Sequence, residues 1–123
     1  MMKFSHIVIV FITFFASAGM AVSQTSSGTQ EYGDGGAYEG EFLNGLPHGN
    51  GTYELPNGYR YVGEWFEGEI NGQGEALFPN GSVYIGSFVK GKPEGSGKIT
   101  FTDGGTYEGE WKNGSITGEG YAK

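Results

Sequence analysis

The chain has 123 residues, 25 of them glycine and none cysteine, so one small domain is the expected unit and neither disulfides nor thiolate chemistry is open to it. Seven Lys and Arg stand against fourteen Asp and Glu, a formal net charge of -7; this excludes the basic surface that grips nucleic acid, and membrane contact has no support from charge. Glycine does not recur at every third position and only 4 prolines accompany it, which excludes a collagen helix, while 15% aromatic residues argue against simple disorder.

Residues 1–23 differ from everything that follows. Lys3 and His6 precede the apolar run Ile7-Val8-Ile9-Val10-Phe11-Ile12, which continues to Phe15 before small residues take over. That order predicts a secretory signal peptide and a protein exported to a periplasm or secreted. Ala21-Val22-Ser23 is the favoured cleavage site and leaves Gln24 as the new N-terminus; Ala16-Ser17-Ala18 is a second candidate. The minority reading is an uncleaved membrane anchor, because the strongly apolar stretch is only about half of the roughly 20 residues that span a bilayer. Residues 24–37, rich in Thr, Ser, Gly and Glu, read as a flexible polar lead-in.

From residue 38 the chain repeats. Tyr38, Tyr61, Tyr84 and Tyr107 are spaced by 23 residues; Gly40, Gly63, Gly86 and Gly109 follow two positions later, and Phe42, Trp65, Phe88 and Trp111 two beyond those. Gly45, Gly68, Gly91 and Gly114 continue the register, as do the pairs Gly49/Gly51, Gly72/Gly74, Gly95/Gly97 and Gly118/Gly120. The units run 38–60, 61–83, 84–106 and a truncated 107–123.

Within a unit the side chains alternate with period two, the signature of strands. Tyr61, Gly63 and Trp65 share one face while Val62 and Glu64 point the other way; Phe66-Glu67-Gly68 turns the chain, and Gly72, Gly74, Ala76 and Phe78 resume the first face. Pro56-Asn57-Gly58, Pro79-Asn80-Gly81 and Asp103-Gly104-Gly105 reverse it again. The predicted fold is all-β: a single elongated, twisted antiparallel sheet of tandem hairpins.

The structural glycines Gly40, Gly63, Gly86 and Gly109 are expected to leave a groove in which neighbouring rings lie against backbone. The opposite face carries Glu39, Glu41, Glu64, Glu75, Ser96, Lys98, Glu108 and Glu110 and reads as solvated. No amphipathic helix follows residue 23 to cover the aromatic face. The expectation is therefore that a second copy, a protein partner or a ligand with apolar faces covers it. Gly118 through Ala122 reads as an edge strand open to pairing with another chain.

The pattern Tyr-x-Gly-x-Trp/Phe-x-x-Gly-x-x-x-Gly-x-Gly resembles the MORN repeat, the membrane occupation and recognition nexus; Tyr61 through Gly68 and Tyr107 through Gly120 carry the likeness best, with Phe42 and Phe88 in the tryptophan place of the other units. The resemblance implies an elongated hairpin sheet used as an interaction or scaffold module, in some members as an antiparallel dimer, with lipid contact as the first role proposed for the family. Members appended to kinases or methyltransferases owe their catalysis to those domains, and none accompanies the repeats here.

Enzyme chemistry finds little foothold. His48 stands alone between Pro47 and Gly49 and reads as a solvated loop residue; no His and Cys cluster suits zinc, and no Asp-rich loop suits calcium. Glu39/Glu41 and Glu108/Glu110 are exposed i,i+2 pairs without the cleft that glycoside hydrolysis requires. The glycines lack the helix and lysine of a phosphate loop. The sequence thus reads as a non-enzymatic module without cofactor or metal, recognising a protein or a second copy of itself. The alternative is a ligand-binding module that stacks carbohydrate, quaternary amine or lipid headgroup on Tyr61, Trp65, Tyr84, Phe88, Tyr107 and Trp111.

Overall fold

The computed structural model describes residues 25–123 together with the backbone of Ile9–Thr13. Apart from that segment, the expected signal peptide and both candidate cleavage sites lie outside the described residues. The strands are β1 Ile9–Thr13, β2 Thr25–Glu31, β3 Ala37–Leu43, β4 Leu46–Glu54, β5 Arg60–Phe66, β6 Glu69–Leu77, β7 Val83–Val89, β8 Lys92–Thr100, β9 Thr106–Lys112 and β10 Ser115–Ala122. They form one antiparallel sheet whose spatial order is the order of the chain.

Two kinds of turn alternate along this meander, and each has a local cause. Within a repeat, two residues close the hairpin: Asn44-Gly45, Glu67-Gly68, Lys90-Gly91 and Asn113-Gly114, with φ of 52° and 84°, 48° and 89°, 50° and 84°, and 51° and 85°. Positive φ at both central residues is the type I′ geometry, whose twist matches that of the flanking strands. Between repeats, an Asx turn reverses the chain. The carboxyl or amide oxygen of Asp34, Asn57, Asn80 and Asp103 accepts the backbone N–H two residues on, at 2.8, 2.9, 2.8 and 2.9 Å.

Three sequence expectations change in the structure. The segment read as a flexible lead-in contains β2, paired in continuous register with β3 from Thr25↔Leu43 to Glu31↔Ala37. Its polar side chains gave no burial signal, but its backbone ladder needs none. The repeat begins there: Gly28, Asp34 and Gly35 stand 23 residues before Gly51, Asn57 and Gly58. Second, His48 lies in β4 rather than in a loop; its Nδ1 accepts the Glu67 N–H at 3.1 Å and its ring rests against Phe66. Third, the face read as polar also exposes Val62, Phe66, Leu77, Ile85 and Val89.

The turns generate a prediction. An L-residue other than Asn, Asp or Gly is disfavoured in the left-handed region, so Glu67→Asn and Lys90→Asn are each expected to raise stability by about 0.5–1 kcal/mol in urea unfolding.

Candidate interaction surface

One register feature organises the whole sheet. Gly28, Gly40, Gly51, Gly63, Gly74, Gly86, Gly97, Gly109 and Gly120 stand directly opposite one another from β2 to β10, forming a rail of backbone across the strands. The phenol of each repeat's first tyrosine lies on that rail. A Cβ at Gly51 would fall inside the Tyr38 ring, one at Gly74 inside the Tyr61 ring and one at Gly97 inside the Tyr84 ring. Each hydroxyl then donates to the carbonyl three residues ahead: Tyr38 to Glu41 at 2.7 Å, Tyr61 to Glu64 at 2.8 Å, Tyr84 to Ser87 at 3.0 Å and Tyr107 to Glu110 at 3.3 Å.

The hairpin is irregular where those hydroxyls land. The β3–β4 and β5–β6 registers shift between Gly40 and Phe42 and between Gly63 and Trp65, leaving N–H groups of the longer strand without a ladder partner. The glutamate beneath supplies one: Glu41 Oε1 accepts Asn50 N–H and Glu64 Oε1 accepts Gln73 N–H, each at 2.7 Å. These two carboxylates hold the bulges.

The rings form one ladder. Following Phe42, Tyr38, Trp65, Tyr61, Phe88, Tyr84, Trp111 and Tyr107, successive centroids lie 4.9 to 5.8 Å apart with interplanar angles of 74° to 88°. Edge-to-face contacts of this kind add about 0.5–1.5 kcal/mol each beyond area burial. The indole N–H of Trp65 donates to Gly51 O at 3.2 Å and that of Trp111 to Gly97 O at 3.1 Å, both one strand back.

All six residues singled out from the sequence as candidate binding rings belong to this ladder. Tyr61 and Tyr84 are 0% exposed, Phe88 1%, and Tyr107, Trp111 and Trp65 no more than 8%. The structure therefore brings them together as core, and their ring faces are occupied by one another. With glycine beneath each phenol, the ladder rings sink far enough to bury one another, so only the rest of this face is left to be covered.

What stays accessible on the aromatic face lies beside the ladder. Tyr53, Leu55, Tyr59, Ile70, Phe78 and Pro79 line a groove of about 360 Å³. Tyr59 stands between Tyr53 and Phe78, with centroids at 6.5 and 5.9 Å. Sequence reading missed Ile70 here; its signal is the apolar series Pro47, Ile70, Pro93 and Ile116 at the same 23-residue spacing.

A sequence model of the MORN repeat matches residues 38–58, 61–83, 84–106 and 107–121. The chain belongs to the MORN-repeat family. No curated protein matches it in a sequence search. The matched units coincide with the hairpins of β3–β4, β5–β6, β7–β8 and β9–β10, and β2 extends the MORN architecture by half a unit. MORN repeats of this kind build a repeat scaffold or interaction module. Among the described residues, no group of three or more His, Cys, Asp or Glu is gathered to hold a metal ion.

Burial sets the titration of Tyr38, Tyr61 and Tyr84. Tyr84 is pushed from 10.0 up to about 12, first by desolvation and further by the charge of Glu110; burial pushes Tyr38 and Tyr61 the same way. Above pH 10.0 the unfolded chain releases phenol protons that the folded sheet keeps, so stability is level below that pH and falls as pH rises toward about 12. The phenolate absorbance of these three buried tyrosines is expected to appear together with loss of the sheet signal in circular dichroism. Gly74→Ala is expected to cost about 3 kcal/mol in urea unfolding, because the added methyl displaces the Tyr61 ring. Trp65→Phe, which copies Phe42 and Phe88, is expected to cost only about 1 kcal/mol for the lost hydrogen bond.

Proposed function

We propose that this MORN-repeat protein is a non-enzymatic interaction module acting outside the cytoplasm, and that it engages a protein partner through the aromatic face of its sheet. The observation that carries the reading is the apolar groove of Tyr53, Leu55, Tyr59 and Phe78, accessible beside the buried Ile70 on a sheet of one layer. A groove lined by half-buried rings beside a rigid ladder suits apolar anchor side chains of a partner, which are the usual source of interface energy. The strand β10 pairs with β9 alone among the described strands, and its other edge offers backbone groups to an added strand.

The small-ligand alternative loses its main support, since the indoles and phenols that would stack a sugar or a quaternary amine are buried in the ladder. The export reading rests on the order of Lys3, the apolar run and the small residues before Gln24. Cleavage after Ser23 would remove β1 and leave β2 as the first strand, with every buried core residue retained.

A photo-cross-linking side chain placed at Phe78 tests the reading in the native host. Discrete adducts with another protein are expected at Phe78 and not at Lys112, which lies exposed on the other face. Adducts at neither position, with the chain sedimenting as a monomer across a wide concentration range, would sink it. Mass analysis of the exported protein is expected to find Gln24 as the N-terminus.

A further inference from the structure

The second face of the sheet holds an arrangement that the repeat fold itself does not use. Side by side across the strands stand Glu39, Thr52, Val62, Glu75, Ile85, Lys98, Glu108 and Tyr121, each directly opposite the next. The glutamates of the neighbouring row are engaged: Glu41 and Glu64 hold the bulges and Glu110 accepts from the Ser96 hydroxyl at 3.0 Å. Glu39, Glu75 and Glu108 are different. Among the described residues they meet no cation and accept no hydrogen bond; the ion pairs are Arg60–Glu54 and Lys112–Glu94, outside this row.

Between these free carboxylates sit Val62, 40% exposed, and Ile85, 56% exposed, and beyond Glu108 at the edge stands Tyr121, 76% exposed. Glycine backbone floors the space between the two rows. The result is a groove of about 740 Å³ lined by Gln73, Ile85, Ser96, Lys98, Glu108 and Tyr121. None of these side chains packs in the aromatic core on the other side of the sheet. Aliphatic and aromatic groups held in solvent beside unpaired carboxylates match a surface that alternates apolar and cationic groups.

We propose that this second face docks a cationic amphipathic helix of a partner protein, laid across the strands from Val62 to Tyr121. The proposal rests on the interaction-module reading and assigns that module a second surface and a partner chemistry. Charge complementarity selects the sign: from Val62 to Tyr121 the row holds the two free carboxylates of Glu75 and Glu108 against the single Lys98, on a chain of net charge -7. The backbone selects the conformation. Every strand from β3 to β9 is paired on both edges, so the face has no N–H or C=O to offer an extended peptide, and an arriving segment must satisfy its own backbone as a helix does. Strands about 4.8 Å apart put β5 and β10 about 24 Å apart, the length of a helix of about 16 residues. Lys and Arg stems can lie along Val62 and Ile85 while their charges reach Glu75 and Glu108.

The probe is a designed helix of Leu and Lys, with Leu along one face, titrated into the full-length chain by fluorescence anisotropy; its Leu/Glu counterpart is the control. The Leu/Lys helix is expected to bind at least tenfold more tightly than the Leu/Glu helix and to weaken as NaCl is raised. The double variant Glu75→Gln with Glu108→Gln is expected to lose at least fivefold in affinity, and Ile85→Ser about fivefold, with circular dichroism unchanged because all three side chains are exposed. Glu67→Gln with Glu69→Gln makes the same charge change at the hairpin end and is expected to leave binding within twofold. Equal loss in that control would reduce the effect to bulk charge and overturn the proposal, as would equal binding of the two helices or no binding at all. The Phe78 cross-link probes the opposite face, so a partner captured there without helix binding here would overturn this proposal alone.

Discussion

Everything in this sheet depends on a phenol lying flat on a strand that has no side chain at that point. A single β-layer has no opposing layer to bury its apolar face, and it ordinarily needs one. Here the nine-glycine rail lowers each tyrosine by the depth of a side chain. Its hydroxyl thereby reaches the carbonyl freed at the bulge, and the next aromatic meets it edge-on. The Cβ positions of Gly51, Gly74 and Gly97 are already occupied by ring atoms, so the glycines are a steric requirement rather than a source of flexibility. The bulges follow from the same contact. A regular ladder would consume the carbonyls that accept the tyrosine hydroxyls.

Repetition then turns a local solution into an extended one. Each phenol touches the aromatic of its own unit and that of the next, so Tyr38 contacts both Phe42 and Trp65, and Tyr61 both Trp65 and Phe88. Stability accumulates through nearest-neighbour contacts, as in other repeat proteins. It leaves two long faces whose outer positions are free of core packing. On the aromatic face the free positions gather Tyr53, Tyr59 and Phe78 beside the ladder; on the other they alternate carboxylates with Val62, Ile85 and Tyr121. A scaffold whose core is one ring thick can present both faces at once.

The repeat, its hairpin period and the family were legible in the residues because aromatic and glycine spacing is a one-dimensional record of strand register. Tyr38, Tyr61, Tyr84 and Tyr107 at constant spacing can stack only if every hairpin has the same length. Less was legible where backbone rather than side chains does the holding. β2 is built from Thr, Ser and Gly, and only Gly28 and the Asp34-Gly35 turn mark it as half a repeat. Glu41 and Glu64 looked like solvated acids, since nothing in a linear pattern announces that a bulge will bring the N–H groups of Asn50 and Gln73 to their carboxylates.

The sequence by itself determined that the chain is an antiparallel meander of 23-residue hairpins with an aromatic side and an acidic side. Only the tertiary structure decided which aromatic residues are core and which are surface. Tyr61 and Tyr53 are the same residue type on the same face, yet Tyr61 lies with its ring over Gly74 and is sealed between Trp65 and Phe88, whereas Tyr53 brings only its hydroxyl near a glycine, Gly36, and stays half-buried at the rim. Alternation along one strand tells which face a ring occupies. How deep it lies is set by what the neighbouring strand leaves out, and that depends on cross-strand register.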